Sequence, residues 1–264
     1  MNPRVSIIMG VHNLSDNYMK AINSIIEQTY KNWEFIICND GSSDDTMNKL
    51  DKIAQKDNRI IIIENKNNKG LAYSLNKCIE VSKGEYIARM DDDDISKATR
   101  IQTEVDFLDA NPQYAFVSTD YDIDNGHQII SKARTLVEEP SKYDFLWTSP
   151  FLHPATMFRK KALKSINNYR VAYETIRAED YDLYIRLYAN NFIGYNIPQK
   201  LFVYHVSDAS MKKRKYKFRI YESIVRAKGF KLLKISFIKS VPYIIKPLIV
   251  GLIPKKILKK IQEG

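Results

Sequence analysis

The amino-acid sequence predicts an α/β fold, in which helices flank an open, mostly parallel sheet and a basic amphipathic tail follows. Three observations lead to this prediction. Short apolar runs alternate with helical stripes over about the first 110 residues, the later pattern suits a mixed sheet, and the positive charge lies after residue 210. With 264 residues, 44% of them hydrophobic, the chain can bury a core of ordinary size.

Predicted strands and helices alternate in residues 1–110. Apolar runs rich in β-branched or aromatic residues predict strands at residues 5–9, 33–38, 59–63 and 85–90. The helical stripes consist of Met19, Ile22, Ile25 and Ile26, of Leu71, Leu75 and Ile79, and of Ile101, Val105 and Leu108. Such alternation indicates parallel strands that are joined by right-handed crossovers.

Residues 111–210 follow a looser pattern, which we interpret as strands of a mixed sheet and one helix. The strands are predicted at residues 114–119, 148–158 and 201–206, with a polar hairpin around Asp124-Asn125-Gly126. The helix is predicted over residues 179–189, with four inward-facing side chains, those of Tyr181, Tyr184, Ile185 and Tyr188.

The net charge of +10 belongs to the C-terminal segment. Residues 211–264 contain 16 Lys and Arg and two acidic residues, a net charge of +14, so residues 1–210 carry −4. A nucleic-acid-binding body should carry its positive charge on the folded surface, so the distribution argues against that class. We therefore predict a body of residues 1–210 and a tail of residues 211–264.

The tail interleaves Lys with apolar residues and ends in Lys255-Lys256-Ile257-Leu258-Lys259-Lys260-Ile261. Residues 235–254 have nearly the length of a membrane span, but Lys239, Lys246 and three prolines argue against spanning. We predict that the tail lies in the interface of an anionic membrane. A solvated basic tail and a partner-docking helix are the alternatives.

Cysteine usage predicts a reducing compartment. Cys38 and Cys78 each lie within an apolar run and show no CxxC spacing, so we expect buried, reduced thiols. The apolar run at residues 5–9 is too short for the core of a signal peptide. The predicted location is the cytoplasm, at the inner face of the cell membrane.

The loops that follow the first four predicted strands are unusually polar. They are Gly10-Val11-His12-Asn13, Asn39-Asp40-Gly41-Ser42-Ser43-Asp44-Asp45, Asn67-Asn68-Lys69-Gly70 and Asp91-Asp92-Asp93-Asp94. In open α/β sheets, ligands bind beyond the carboxyl ends of the strands, so we expect these loops to meet at one ligand site. The turn that contains Lys69 precedes a helix N-terminus, which can also meet an anion.

Four consecutive carboxylates, Asp91 to Asp94, repel one another unless a cation or water neutralises them. An acidic surface turn is the alternative, but this run directly follows a buried-looking strand. Oxygen ligands favour a hard divalent ion such as Mg or Mn. Such an ion can stabilise the charge that a nucleotide diphosphate gains on leaving.

Asp40 follows the second strand and precedes small polar residues that permit a tight turn. An acid at such a strand end can accept hydrogen bonds from the base or ribose of a nucleotide. Its alternative role is helix capping, but Ser43 and Asp44 are already available for the helix that follows. We therefore predict that Asp40 binds a ligand.

The segments VSIIMGVHN, ICNDGSSDDT, NKGLAYSLNKCI, GEYIARMDDDD and AEDYDLYIRL occur in the order typical of family 2 glycosyltransferases. The sequence resembles this family over about residues 4–210. The resemblance implies a GT-A-type nucleotide-diphospho-sugar transferase fold, with a DxD motif for donor and metal. It makes residues 1–110 the nucleotide-sugar-binding half and residues 111–210 the acceptor-binding half.

The resemblance also implies site residues. Asp40 resembles the acid that contacts the nucleotide base, and Asp91 to Asp93 resemble the DxD motif, with Asp93 as the metal ligand. The predicted donor-binding residues are Val11, Asn13, Asp40, Lys69, Asp91 and Asp92. Asp180 resembles the catalytic base, although a helix N-terminus also favours an acid for its dipole.

Three departures from the family pattern are visible. Family members usually have Pro at Gly10 and an aromatic residue at His12, positions that shape the base pocket. Relatives often carry Tyr-Arg-x-His where this sequence has Tyr204-His205-Val206-Ser207. His205 is therefore predicted either as a second metal ligand or as a structural histidine.

These observations predict a metal-dependent, inverting hexosyltransferase-type glycosyltransferase. It would move a sugar from a nucleotide-diphosphate donor, a UDP-sugar, to an acceptor hydroxyl. By the family resemblance, the acceptor is a lipid-linked saccharide in the synthesis of a bacterial capsule, exopolysaccharide or O-antigen. A metal-dependent nucleotide-sugar phosphohydrolase and a non-enzymatic membrane-surface protein are the alternatives.

Overall fold

The structure, a computed structural model, describes residues 3–131, 136–206 and 215–253. Its first half alternates strands and helices, as the apolar runs predict. The strands are β1 (Val5–Val11), β2 (Trp33–Asn39), β3 (Ile60–Glu64) and β4 (Tyr86–Arg89). The helices are α1 (Tyr18–Ile26), α2 (Thr46–Ala54), α3 (Leu71–Val81) and α4 (Arg100–Ala110).

The remaining strands and helices follow in a less regular order. The strands are β5 (Ile95–Ser96), β6 (Tyr114–Asp124), β7 (Ile129–Ile130), β8 (Thr156–Arg159) and β9 (Ile193–His205). The helices are α5 (Lys160–Ser165), α6 (Glu179–Ala189), α7 (Lys217–Leu232) and α8 (Phe237–Leu252). The helix predicted at residues 179–189 is therefore confirmed.

All strands of the described residues belong to one sheet, in the order β3-β2-β1-β4-β8-β6-β9-β5, with β7 paired to β6. Strands β1 to β4 run parallel, and β6 is parallel to β9. Strand β8 pairs antiparallel with both β4 and β6 and joins the two halves into one sheet. The predicted α/β fold with a mixed second half is confirmed.

Hydrophobic cores cover both faces of the sheet. In β1, Ile7 packs on the face covered by α1, α2 and α4, whereas Ile8 packs on the face covered by α3, α6 and α7. This alternation follows from the two-residue period of a strand. Cys38 and Cys78 are free, buried thiols on the same face as Ile8, as predicted.

Strand boundaries differ from the prediction where prolines interrupt a strand or where pairing with a neighbouring strand extends it. Gly10 and Val11 belong to β1, because they continue its parallel pairing with β2. The strand predicted at residues 148–158 is limited to β8, since Pro150 and Pro154 interrupt the preceding residues and cannot donate to a ladder. Strand β9 begins eight residues earlier than predicted, and its pairing with β6 skips residues 198 and 199.

Helix α7 belongs to the packed body, although its charge predicts a tail. Val225, Phe230, Leu233 and Ile235 are buried in the same core as α6. The compact body therefore continues past residue 210, the boundary that the charge distribution predicts. Among the helices of the described residues, none is both long enough and apolar enough to cross a membrane. Residues 207–214 and 254–264, which include Ser207 and the last Lys-rich segment, lie outside the described residues.

Candidate functional site

The loops after β1, β2 and β4 meet at the carboxyl edge of the sheet. The Asn13 backbone N–H donates to Ser42 Oγ at 2.9 Å, and Asn13 Oδ1 accepts from the Ser43 N–H at 3.0 Å. The Ser15 N–H donates to the Asp92 carboxylate at 2.7 Å. These hydrogen bonds confirm the predicted convergence. They also engage the Asp92 side chain and the Asn13 amide oxygen with protein groups.

Asp40, at the carboxyl end of β2, is a buried acid. Its carboxylate accepts hydrogen bonds from the backbone N–H groups of Lys69 at 2.9 Å and Gly70 at 2.8 Å, at the start of α3. Asn65 Nδ2 also donates to it, at 2.7 Å. Burial alone would raise its pKa, but these hydrogen bonds hold the pKa below the ordinary value. Asp40 thus fixes the turn that leads into α3, while Asp44 Oδ1 accepts from the Thr46 N–H at the start of α2.

Asp91, Asp93 and Asp94 form a cluster in which one oxygen of each carboxylate lies within 4.8 Å of the others. Burial, together with the charges of Asp91 and Asp92, raises the pKa of Asp93 to about 6. Burial likewise raises the pKa of Asp94, and one of its oxygens, Oδ2, is buried without a hydrogen-bond partner among the described residues. Three crowded carboxylates with an unsatisfied oxygen suit a hard divalent cation.

Arg89, the last residue of β4, contacts this cluster. The residue is 2% exposed, and its guanidinium forms an ion pair with Asp91. Its charge also lowers the pKa of Asp180, although burial has the larger effect and raises it overall. The charge of Arg89 therefore acts on both the carboxylate cluster and the predicted base.

His205 does not join the carboxylate cluster through its ring. The ring Nδ1 lies 3.2 Å from Asp124 Oδ2, and the backbone N–H of His205 donates to Asp94 Oδ1 at 2.7 Å. The described residues thus give His205 a positioning contact to Asp94. The metal cluster found among the described residues contains only carboxylates.

Asp180 lies in the first turn of α6 and lines a pocket of about 420 Å³. The pocket is bounded by residues around the start of α6, by the N-terminal part of α7, by Thr148 and Ser149, and by Tyr204 of β9. Glu179, the neighbouring acid, does not line it. Of the two adjacent acids, Asp180 is therefore the one that faces an accessible volume.

Tyr204 connects this pocket to the carboxylate cluster. It lines the pocket, while burial and the charges of Asp94, Asp91 and Asp93 raise its pKa to about 12. Tyr204 thus lies at the pocket that contains the predicted base and is also affected by the charges of the predicted metal ligands. By contrast, His153 is buried, bonds to the Tyr169 hydroxyl at 2.7 Å and does not line the pocket.

Two groups of site residues escape sequence analysis. Arg89 had a usable signal, because a charged residue at the end of an otherwise apolar strand needs a partner. The α7 residues that line the pocket had none, since they reach it from a distant part of the chain.

The chain matches the model of glycosyl transferase family 2 over residues 6–166. It is 34% identical over 259 residues to the putative glycosyltransferase EpsE of Bacillus subtilis, which covers 98% of this chain and 92% of EpsE. The chain belongs to glycosyltransferase family 2. It is also 30% identical to WfaP of Escherichia coli, a UDP-Glc:α-D-GlcNAc-diphosphoundecaprenol β-1,3-glucosyltransferase, over 86% of this chain and 87% of WfaP.

Solved structures of glycosyltransferases share the fold of this family 2 enzyme. S. aureus TarS in complex with UDP-GlcNAc matches with a TM-score of 0.70 at 16% identity, over 87% of this chain and 70% of TarS. The mannosyltransferase PcManGT of Pyrobaculum calidifontis, in complex with GDP-Man and Mn²⁺, matches with a TM-score of 0.64 at 20% identity, over 95% of this chain and 69% of PcManGT. The GT-A fold implied by the sequence resemblance is confirmed.

Proposed function

We propose that this enzyme transfers a sugar, with inversion, from a UDP-sugar to a hydroxyl of a lipid-linked saccharide in bacterial surface-polysaccharide synthesis. One observation carries the proposal: Tyr204 lines the Asp180 pocket, and the charges of the Asp91, Asp93 and Asp94 cluster raise the pKa of its hydroxyl. Transfer needs a base and a site for the leaving diphosphate on opposite sides of one anomeric carbon. The UDP and lipid-linked parts draw support from the ligand of TarS and the substrate name of WfaP.

Asp180 is the proposed base. Its raised pKa makes its carboxylate a stronger proton acceptor than an exposed aspartate. The acceptor oxygen forms a bond to the anomeric carbon while the bond from that carbon to the diphosphate oxygen breaks. The acceptor proton passes to Asp180, and the nucleoside diphosphate leaves. Attack from the face opposite the leaving group inverts the anomeric configuration.

Asp91, Asp93 and Asp94 are the proposed ligands of a divalent ion, Mn or Mg. When bound, the ion supplies positive charge that stabilises the departing diphosphate. Asp40, Val11, Asn13, Lys69 and Asp92 remain the proposed donor-binding residues. Arg89 forms an ion pair with Asp91 and so offsets part of the negative charge of the cluster. The hydrogen bond from the His205 N–H holds the Asp94 carboxylate next to the end of β9.

Sugar transfer by Asp180→Asn, with Glu179→Gln as the matched control, tests the proposal. Asp180→Asn should lower the transfer rate about 100-fold to 10,000-fold, because it removes a general base but keeps the side-chain shape. Nucleotide affinity, measured by calorimetry with Mn, should stay unchanged. Glu179→Gln should transfer normally, since Glu179 does not line the pocket. Near-normal transfer by Asp180→Asn contradicts the assignment, and donor cleavage that needs no acceptor favours a phosphohydrolase.

We also propose that the enzyme works at the inner face of the cell membrane through its C-terminal helices. Phe237, Ile238 and Leu252 of α8 are 75%, 84% and 74% exposed, respectively. At 100° per residue they lie within one side of the helix, together with the exposed Ile245 and Ile249. Lys231, Lys234 and Lys239 are exposed near the start of α8. An apolar face beside cations suits the interface of an anionic leaflet.

A further inference from the structure

The pocket beside Asp180 carries an excess of positive charge. Four cationic side chains line it, those of Arg177, Lys215, Arg219 and Arg226, against the two acids Asp180 and Glu222. A neutral sugar requires hydrogen-bond donors and acceptors but no net charge. A surplus of cations in a concave site instead favours an anionic ligand.

Arg226 and Glu222 form hydrogen bonds with each other, and Arg226 also bonds to backbone carbonyl groups. Arg226 is buried and donates to the carbonyl oxygens of Leu146 at 2.8 Å and Trp147 at 3.2 Å, as well as to Glu222 Oε1. Glu222 also accepts from Arg219 Nη1 at 3.1 Å. One carboxylate is thus shared by two guanidinium groups, which leaves positive charge on the side of Arg219.

Arg177 and Lys215 are the cations that remain available. Both side chains are exposed, and neither forms an ion pair with another described residue. They approach the pocket from separate segments, Arg177 from the loop before α6 and Lys215 from just before α7. Exposed side chains that converge on a cavity without partners can bind a ligand at little cost in lost protein contacts.

The position of these cations relative to Asp180 indicates which part of the acceptor they meet. Arg177 precedes Asp180 by only three residues, and Tyr181, Tyr204 and Phe218 supply aromatic walls. A pocket of about 420 Å³ lies within the range of small-molecule sites, about 300–1,000 Å³. It has room for a sugar beside the base and for a charged group beyond it.

We infer that Arg177, Lys215 and Arg219 form a subsite for the diphosphate group that links the acceptor saccharide to its lipid. This inference rests on the proposed function, because it takes the pocket as the acceptor site. Guanidinium groups bind phosphate oxygens in bidentate geometry, and Lys adds a point charge. The subsite distinguishes a lipid-diphosphate acceptor from a free saccharide.

Binding of farnesyl diphosphate tests the subsite without any sugar transfer. Calorimetry in EDTA removes divalent ions, so the carboxylate cluster does not attract the diphosphate. Arg177→Asn should weaken binding about tenfold, and the pair Arg177→Asn with Lys215→Gln should weaken it further. Asparagine suits position 177, because Arg177 has a φ of +70°. Lys217→Gln, which removes an exposed charge from α7 outside the pocket, is the control and should change affinity less than about twofold.

A further variant and two further ligands test the subsite by the same binding measurement. Glu222→Gln should tighten binding, because it removes a like charge and releases Arg219, an effect that loss of folding cannot imitate. Inorganic pyrophosphate should bind through the same residues but more weakly than farnesyl diphosphate. The affinity for farnesol, which has no diphosphate, should be the same with and without the Arg177 side chain. No binding by the unmodified protein, or equal binding by the double variant at an unchanged melting temperature, overturns the subsite. Diphosphate binding without sugar transfer to any acceptor contradicts the proposed function alone.

Discussion

Asp40 serves local stability before any ligand is bound. Its carboxylate, 3% exposed, accepts three hydrogen bonds from Lys69, Gly70 and Asn65. Two of these donors are backbone N–H groups of the turn that leads into α3, and the Gly70 N–H, at the N-cap of α3, has no partner within the helix. The residue proposed to contact the nucleotide base is therefore held in place by the turn before α3.

Asp40→Ala should lower the free energy of unfolding by about 2–4 kcal/mol, because it leaves buried donors without acceptors. Urea denaturation followed by circular dichroism measures this loss. Asp16→Ala, at an exposed position of the loop after β1, is the control and should have little effect. An Asp40→Ala protein with unchanged stability would show that the three hydrogen bonds contribute nothing net. Nucleotide affinity should then be compared only at temperatures where both proteins are folded.

Sequence reasoning located the acids of the site but not their partners. Asp91 to Asp94 follow a short apolar run, so their place at the strand ends is a local property of the sequence. The contact of Asp94 with the His205 N–H joins residues 111 positions apart, and no local pattern encodes it. The partners of Asp40 are equally non-local, because Lys69 and Gly70 lie about 30 residues further along the chain.

Helix α4 carries two buried ionisable side chains that the proposed reaction does not use. Arg100 and Glu104 are both fully buried, one helical turn apart. Arg100 donates to the carbonyl oxygens of Arg89 and Pro154, but both oxygens of Glu104 lack a hydrogen-bond partner among the described residues. Burial raises the pKa of Glu104 to about 8, although the charge of Arg100 opposes the rise.

Stability should fall as pH rises between about 4.5 and 8, since folded Glu104 keeps a proton that the unfolded chain has lost. The pKa difference corresponds to roughly 3–5 kcal/mol across that window. Glu104→Gln should remove this loss, so its stability relative to the unmodified protein should be similar near pH 5 and higher near pH 8. Urea denaturation at both pH values measures the difference. Asp106→Asn, on the exposed side of α4, should show no such change; an equal pH dependence in both variants would contradict a buried, protonated Glu104.

Helices and strands with a regular spacing of apolar residues were predictable from the sequence. Those whose extent depends on tertiary contacts were not. The first four strands and helices α1, α3, α4 and α6 match their apolar patterns closely. Strand β9 includes Gly194 and Pro198, which break the strand pattern, yet pairing with β6 extends it to 13 residues. Helix α7 has the charge of a solvated tail, but Arg226 is buried because its guanidinium meets two carbonyl groups and Glu222.

At the scale of the whole molecule, the C-terminal helices combine packing and exposure. Helix α8 packs on α7 and on the body: Tyr243 and Ile244 contact the core, and Lys246 Nζ donates to the Trp147 carbonyl at 3.0 Å. Removing residues 230–264 would therefore delete core side chains such as Phe230 and Ile235. Loss of membrane binding after such a truncation could not be separated from loss of folding. Substitutions on the exposed face of α8 separate the two.

The triple variant Phe237→Gln, Ile238→Gln and Leu252→Gln should reduce binding to phosphatidylglycerol vesicles about 100-fold or more, since each buried apolar side chain contributes about 1.5–3 kcal/mol. Its melting temperature should not fall, because all three side chains are exposed. Co-sedimentation at low and high salt measures binding, and high salt should weaken it further by screening the Lys residues near α8. Ile129→Gln with Val171→Gln, at exposed apolar positions elsewhere, is the matched control. If the triple variant sediments with the vesicles as strongly as the unmodified protein, α8 is not the membrane contact, and the segment after residue 253 becomes the next one to test.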